Sequence, residues 1–140
     1  MRNAWVSRGN ASKNDNTMTI LIVDDEEIVR KLVRVALNGF EATDFLEAKD
    51  ATEALKIARE HPGPIHLLLS DVAMPGRMNG IEMATQLSQA RPKTKVFLMS
   101  GYAPESLTME PTWHFIQKPF AASEIRERIW RILNDNSIAA

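Results

Sequence analysis

Short apolar runs alternate with longer amphipathic segments along most of this chain. Five runs have the length and composition of strands, and they occupy residues 18–23, 40–46, 66–71, 96–99 and 113–117. An apolar run of this length that is closed by turn residues is typical of a strand buried on both faces rather than of a helix. The second run is more polar than the others, which places it nearer the edge of the predicted sheet.

Amphipathic segments follow these runs, and their capping residues indicate where helices begin. Acidic Glu26 and Glu27 open the first helix, where they complement its dipole. Asp50 and Glu53 have the spacing of a capping box that starts the second helix. The remaining helical patterns cover about residues 81–90 and 123–133, with a short segment at 104–110 that has room for little more than two turns. Strand–helix alternation repeated five times predicts one α/β domain, a doubly wound parallel sheet over residues 18–134.

Length and composition narrow the classes of function. The 140 residues include no cysteine, so disulfide and thiolate chemistry are excluded, and the net charge of −1 provides no basic field for nucleic acid. Residues 1–17 are predicted to form a flexible N-terminal tail, and residues 135–140 a C-terminal tail. Because neither a signal-peptide segment nor a membrane-length apolar run is present, we expect a soluble, cytoplasmic protein with no membrane span.

Polar side chains follow four of the predicted strands at the point where each strand ends. They are the pair Asp24 and Asp25, then Asp71, Ser100 and Lys118. Each has an ordinary explanation by itself, such as a helix cap, a turn or a surface amine. Together they are more informative, because the carboxyl ends of parallel strands share one edge of the sheet, where ligands bind. Clustered carboxylates there require cations, and an all-oxygen ligand set suits Mg²⁺, with Mn²⁺ as an alternative.

These motifs in combination resemble the receiver domain of two-component response regulators, over roughly residues 18–134. The resemblance implies the flavodoxin-like (βα)5 fold, with a five-stranded parallel sheet in the order 2-1-3-4-5. The motifs that carry it are Asp24-Asp25, Asp71 with Met74-Pro75, Ser100-Gly101 and Lys118-Pro119-Phe120.

The resemblance also implies roles for the residues of the site. Asp71 would be the phospho-acceptor. Asp25 would bind Mg²⁺ directly and Asp24 through water, with the backbone carbonyl of Ala73 as a further ligand. Lys118 would contact a phosphoryl oxygen across the site.

Further roles implied by the resemblance concern switching and the lifetime of the phosphorylated form. Ser100 would move towards the phosphoryl group while Phe115 turns inward, and the peptide bond before Pro119 would be cis. Ala73 and Tyr102 lie where side chains tune lifetime in this family. A small residue at 73 leaves attacking water unobstructed, and we hypothesise that the Tyr102 ring slows hydrolysis.

The expected function is therefore to accept a phosphoryl group and report it to a partner. The donor would be a histidine kinase or a histidine phosphotransfer protein, and the target a downstream protein or a domain of a parent chain. Such a protein catalyses only its own phosphorylation and slow dephosphorylation, so it is not an enzyme in the usual sense. The alternatives are a phosphorylation-independent adaptor on the same scaffold and, less favoured, a Mg²⁺-dependent phosphatase that uses an aspartyl phosphate. The latter normally has its nucleophile after the first strand in an Asp-x-Asp pattern, unlike the adjacent pair found here.

Three further expectations concern the loops and the surface. The loop between Pro75 and Gly80 is one residue longer than in many receivers. The Met-Pro-Gly and Ser-Gly-Tyr-Ala motifs resemble those of receivers attached to hybrid histidine kinases. The first helix, with Val29, Leu32 and Val33, is where the family docks its phosphodonor. Trp130 either forms a recognition patch with Arg126 and Arg131 or flanks the core.

Overall fold

The computed structural model describes residues 17–40 and 43–134, so most of the two predicted tails lies outside the described part. Five strands, four α-helices and one short 3-10 turn make up this part. None of its helices combines the length and apolarity needed to cross a membrane. In chain order the elements are β1 (Met18–Val23), α1 (Glu27–Ala36), β2 (Thr43–Ala48), α2 (Ala51–Glu60), β3 (Leu67–Asp71), α3 (Gly80–Ala90), β4 (Lys95–Ser100), the 3-10 turn (Pro104–Ser106), β5 (His114–Gln117) and α4 (Ala122–Asn134).

The strands form one parallel sheet in the order β2-β1-β3-β4-β5, which confirms the predicted topology. Alternate side chains of the inner strands enter two separate apolar layers, as the two-residue period of a strand requires. Leu21 and Leu68 pack with α2 and α3 on one face, whereas Ile20 and Leu69 pack with α1 and α4 on the other. Because both faces are covered, β1 and β3 are almost fully buried, in agreement with their continuous apolar sequence.

Two predicted elements differ from those observed. The second strand begins at Thr43 rather than at Phe40, because Phe40 packs against the apolar layer shared by α1 and α4 instead of joining the sheet. Five helices were expected, but the fourth is present only as the 3-10 turn Pro104–Ser106. Pro111 has no backbone N–H and disfavours helical backbone at the residue before it, which limits any helix in this segment.

Side-chain caps define where α2 and α3 begin. The Asp50 carboxylate accepts a 2.8 Å hydrogen bond from the backbone N–H of Glu53, as predicted, but the Glu53 carboxylate accepts from the N–H of Lys49 rather than that of Asp50. A complete reciprocal capping box occurs instead at the start of α3, between Asn79 and Glu82. The same Asn-x-x-Glu spacing was present in the sequence and was not recognised.

Arg91 ties the end of α2 to the end of α3. Its guanidinium donates hydrogen bonds of 2.9, 2.7 and 2.8 Å to the backbone carbonyls of Ala58, His61 and Gly63. Carbonyls in the last turn of a helix have no partner within the helix, so Arg91 supplies the donors that the end of α2 and its following turn need. No local sequence pattern indicates this contact, because the partners are about thirty residues away.

Arg91→Ala is expected to lower the free energy of unfolding by about 2 kcal/mol, because half-buried carbonyls lose charged donors. Chemical denaturation monitored by circular dichroism measures the loss. Arg91→Lys is expected to recover only a small part of it, since one ammonium group cannot reach three carbonyls in the geometry of the guanidinium fork. A lysine variant as stable as the unmodified protein would show that charge alone, rather than the fork, matters at this position.

Candidate functional site

The structure brings the polar strand ends together at one edge of the sheet. Asp24 follows β1, Asp71 ends β3, Ser100 ends β4 and Lys118 follows β5. The Lys118 ammonium lies 3.3 Å from Asp24 Oδ2 and 3.4 Å from Asp71 Oδ1, although 94 residues separate Lys118 from Asp24. The predicted convergence of these groups is thus present in the fold.

Three carboxylates at this edge could hold a divalent metal ion. Oxygen atoms from Asp24, Asp25 and Asp71 all lie within 4.8 Å of one another. Asp24 is fully buried, Asp71 is 7% exposed and Asp25 faces solvent, so the cluster is reached from outside through Asp25. Lys118 offsets only part of the negative charge. An all-oxygen donor set with excess negative charge fits Mg²⁺ or Mn²⁺.

The electrostatics of the cluster show a deficit of positive charge. Burial, and after it the neighbouring Asp24 carboxylate, raise the pKa of Asp71 to about 6, although Lys118 partly opposes both. Burial alone would lower the pKa of the Lys118 ammonium, but the carboxylates of Asp71 and Asp24 outweigh burial and raise it. Asp71 is therefore mostly ionised at pH 7 yet held in an unfavourable environment, which further positive charge would relieve.

The loop that carries the acid pair is held by contacts that the sequence did not reveal. Asp24 Oδ1 accepts a 2.9 Å hydrogen bond from the backbone N–H of Glu26. Its backbone carbonyl accepts a 2.7 Å hydrogen bond from Arg30, whose guanidinium also pairs with Glu47 of β2 at 3.0 Å. Arg30 therefore anchors the turn between β1 and α1 to the neighbouring strand and fixes the position of Asp24.

Gly80 is a second residue whose importance was not recognised. It is the first residue of α3, its N–H donates a 2.8 Å hydrogen bond to the Val72 carbonyl, and it packs directly on the backbone of Asp71. A Cβ atom at this position would collide with the Asp71 carbonyl oxygen. Glycine is a poor helix former, so its presence at the first residue of α3 was an available signal of close backbone approach.

A hydrogen bond links the Ser100 side chain to the backbone of Tyr102. Ser100 is buried, and its hydroxyl accepts a 2.9 Å hydrogen bond from the N–H of Tyr102. The Tyr102 side chain is 64% exposed, and Ala73 is exposed as well. The carbonyl of Ser100 accepts a 2.7 Å hydrogen bond from the N–H of Lys118, which links the ends of β4 and β5.

Two other residues named from the resemblance can be located. Phe115 lies in β5, where it is half-buried and packs against the apolar layer of α2 and α3. The peptide bond between Lys118 and Pro119 is cis, as the resemblance implies.

The surface predictions are partly corrected. Val33 of α1 is fully buried in the core and cannot contact a partner, because it faces the sheet. Of the other two predicted docking residues, Leu32 is exposed and Val29 is half-buried. Ile28 and Val35 are further exposed apolar side chains of α1. Trp130 is 55% exposed, which favours the surface alternative for this residue.

Arg126 has a structural contact that limits its part in a Trp130 patch. Its guanidinium donates a 2.8 Å hydrogen bond to the carbonyl of Ala36 and lies over the Phe40 ring. These contacts join α4 to the end of α1.

Comparison with known proteins places this geometry in a recognised family. The family model described as the response regulator receiver domain matches residues 20–130. The chain is 31% identical over 127 residues to the sensor kinase CckA of Brucella abortus (strain 2308), a match that covers 88% of this chain and 13% of that protein. It is also 31% identical over 121 residues to the chemotaxis protein CheY of Bacillus subtilis (strain 168), covering 82% of this chain and 97% of CheY.

Solved structures agree with this assignment. The crystal structure of the receiver domain from the hybrid histidine kinase CckA superposes with a TM-score of 0.65 at 34% identity, covering 83% of this chain and 99% of that one. The chain thus spans nearly the whole of CheY and of the solved receiver domain, but only 13% of the sensor kinase CckA. It likewise spans 15% of the autoinducer 1 sensor kinase/phosphatase LuxN of Vibrio campbellii, to which it is 28% identical.

Proposed function

Because this chain belongs to the response regulator receiver family, we propose that it accepts a phosphoryl group on Asp71 from a phosphohistidine donor and reports this to a partner. The observation that carries the proposal is the contact of one ammonium group, that of Lys118, with the carboxylates of both Asp71 and Asp24. Phosphoryl transfer depends mainly on positioning and on neutralising charge, and this arrangement provides the positioning and part of the positive charge.

In the proposed reaction a carboxylate oxygen of Asp71 attacks phosphorus as the phosphorus–nitrogen bond of the donor breaks. The bonding electron pair stays on the imidazole, which then takes a proton from solvent, and Asp71 becomes an acyl phosphate. Lys118 stays beside the reacting oxygens and balances their charge. The phosphorylated state ends when water attacks phosphorus, which restores the Asp71 carboxylate and releases inorganic phosphate. We therefore propose self-modification rather than multiple-turnover catalysis.

The residues present fit a divalent cation as cofactor. Asp24, Asp25 and Asp71 would hold Mg²⁺ or Mn²⁺ with the backbone carbonyl of Ala73. When bound, the ion supplies the positive charge that the three carboxylates and a phosphoryl group need.

The proposed output is a rearrangement of Ser100 and Phe115. The Ser100 hydroxyl is buried at the end of β4 beside the site, and Phe115 lies on the adjacent strand β5. We propose that Ser100 moves to donate a hydrogen bond to the phosphoryl group and that Phe115 turns inward. The phosphodonor, a histidine kinase or phosphotransfer protein, would dock on α1 through exposed Ile28 and Leu32.

Incubation with acetyl phosphate and Mg²⁺, followed by intact-mass analysis, tests the phospho-acceptor. The expected result is a single added phosphoryl group that is lost on treatment with hydroxylamine, which cleaves acyl phosphates. Asp71→Asn should not be labelled, whereas Glu60→Gln, which removes an exposed carboxylate at the end of α2, should be labelled normally. Equal labelling of Asp71→Asn would overturn the assignment.

Tyr102→Ala is expected to shorten the half-life of the phosphorylated protein, because the ring at this position would shield the phosphoryl group from water. A shortening of about threefold corresponds to roughly 0.7 kcal/mol in activation free energy. The half-life is measured by intact mass after removal of the donor. Tyr102→Phe keeps the ring and should behave like the unmodified protein, and an unchanged half-life in Tyr102→Ala would refute the role.

A further inference from the structure

A groove lies at the end of the sheet opposite to Asp71, where β4 and β5 begin. Its walls are the last turns of α3, the second half of α4 and the segment before β5, and it encloses about 880 Å³. We call it the basic groove. In the segment between β4 and β5, the half-buried Leu107, Met109 and Trp113 pack against the apolar layer of α2 and α3, and Trp113 also lines the groove.

Positive charge surrounds the basic groove. Its described lining residues include one carboxylate, that of Glu110, and four cations, Lys93, Lys95, Arg128 and Arg131. Of these cations, Arg131 is paired with Glu127 of its own helix at 2.8 Å. This imbalance is local, because the whole chain carries a net charge of −1. An excess of one sign within a concave surface focuses the field and favours a partner of the opposite charge.

Two of the cations are held in place without being neutralised. Lys95 donates a 2.8 Å hydrogen bond to the carbonyl of Ile132, and Arg128 donates one of 2.6 Å to the carbonyl of Phe115. Within residues 17–40 and 43–134, no carboxylate forms an ion pair with Lys93, Lys95 or Arg128. These hydrogen bonds to neutral carbonyls fix the positions of Lys95 and Arg128 without cancelling their charges.

His114 lies beside two of these cations. Burial lowers the pKa of its imidazole, and the neighbouring Arg128 and Lys95 lower it further. The histidine is thus neutral at pH 7. The groove's positive charge comes from its lysines and arginines and does not depend on histidine protonation.

Apolar side chains also line the basic groove, beside threonine, serine and glutamine side chains. Val96 and Ile132 contribute aliphatic groups, and the half-buried Trp113 contributes an aromatic face. A partly buried aromatic side chain within a charged rim is a typical anchor point of a protein–protein interface.

We propose that the basic groove binds an acidic peptide segment of a partner protein that carries a bulky apolar side chain. The cavity is far too large for a single small anion and is in the size range that accommodates several side chains. Lys95 and Arg128 already use donors on backbone carbonyls, which leaves their charge rather than a full set of donors for the ligand. A ligand whose carboxylates are spread around an apolar side chain fits such cations better than a cluster of phosphates, which needs many hydrogen-bond donors close together.

Peptide display tests the proposal on the whole chain. Random dodecapeptides are selected against the immobilised protein, and the dissociation constants of enriched peptides are measured by fluorescence anisotropy. We expect the enriched peptides to combine net negative charge with an aromatic or large aliphatic residue. Because the groove contains no residue of the acidic site, the selection needs no phosphorylation, and its outcome is separate from that of the proposed function.

Charge reversal maps the binding site. Lys93→Glu combined with Arg131→Glu changes two exposed positions of the rim and should weaken binding by about tenfold or more, or roughly 1.4 kcal/mol. The matched control, Lys31→Glu combined with Lys56→Glu, makes the same change in net charge on α1 and α2 and should leave affinity within about twofold.

Aromatic replacement provides an independent readout. Trp113→Leu removes the ring inside the groove and should weaken binding, whereas Trp130→Leu removes an exposed ring outside its lining and should not. Failure to enrich any peptide, enrichment without acidic character, or equal loss in the two double variants would overturn the proposal. Binding to vesicles that contain phosphatidylserine, abolished by the groove double variant, with no peptide binding would also overturn it in favour of a membrane surface.

Discussion

Gly80→Ala is expected to lower the free energy of unfolding by about 3 kcal/mol, because overpacking against fixed backbone is costly. The new Cβ would collide with the carbonyl oxygen of Asp71 and lie 3.0 Å from the Cα of Val72. Both are backbone atoms in or beside a central strand, so they cannot swing aside as a flexible side chain would. Urea unfolding measures the loss.

Gly101→Ala is the matched control for this substitution. No atom lies within 4 Å of the Cβ position at Gly101, and its backbone is not in the left-handed region, so its effect should be within about 0.5 kcal/mol. Because Gly80 packs on Asp71, the proposed phospho-acceptor, Gly80→Ala should also slow labelling of Asp71 by acetyl phosphate. Unchanged stability in Gly80→Ala would mean that the start of α3 can shift away from β3 without cost.

Asp71→Asn is expected to stabilise the metal-free protein at pH 7. The pKa of Asp71 is raised from 3.8 to about 6 in the folded protein, so ionisation is harder there than in the unfolded chain. A difference of about two pKa units corresponds to at most about 3 kcal/mol, and we expect a measured gain of about 1–2 kcal/mol. Asparagine keeps the shape of the side chain and removes the charge.

The pH dependence of this gain has a definite sign. Between about pH 4 and 6 the unfolded chain loses the Asp71 proton while the folded chain keeps it, so this group lowers stability as the pH rises. The advantage of Asp71→Asn should therefore be absent below pH 4, grow up to about pH 6 and stay constant above it. Thermal unfolding in EDTA across this range measures it, with Glu60→Gln as a distant control.

Mg²⁺ provides a second check on the same variant. A metal ion that binds the folded protein stabilises it by mass action, so added Mg²⁺ should raise the unfolding temperature of the unmodified protein more than that of Asp71→Asn. The gap between the two proteins should then narrow. An asparagine variant that is less stable than the unmodified protein in EDTA would show that the Lys118 contact outweighs the burial of Asp71.

The parts of the fold that follow from local patterns were predicted well. The five strands, the helices α1, α2, α3 and α4, and the meeting of Asp24, Asp71 and Lys118 at one edge follow from apolar periodicity and from the geometry of parallel strands. The strand order came from the resemblance, because periodicity does not determine which strands are neighbours. The start of β2 was misplaced because Phe40 is apolar for a reason unrelated to the sheet, namely packing against α1 and α4.

Contacts between distant residues account for what could not be predicted. Arg91 and Arg30 act on carbonyls of other elements, and neither has a local sequence signature. The burial of Val33 could not be predicted for a similar reason. The helical pattern of α1 indicates an apolar face, but α1 has more apolar residues than that face can hold. In the structure Val33 is in the core, while Ile28 and Val35 face solvent.

The hydrogen bond from Arg128 to the Phe115 carbonyl affects how other chains can associate with the edge of the sheet. β5 is an edge strand, and unpaired backbone groups on such strands invite another chain to extend the sheet, which leads to aggregation or strand exchange. A bulky charged group engaged with the backbone of this short strand obstructs that mode of association. A chain that approaches β5 at Phe115 therefore meets the Arg128 side chain in place of an unpaired carbonyl.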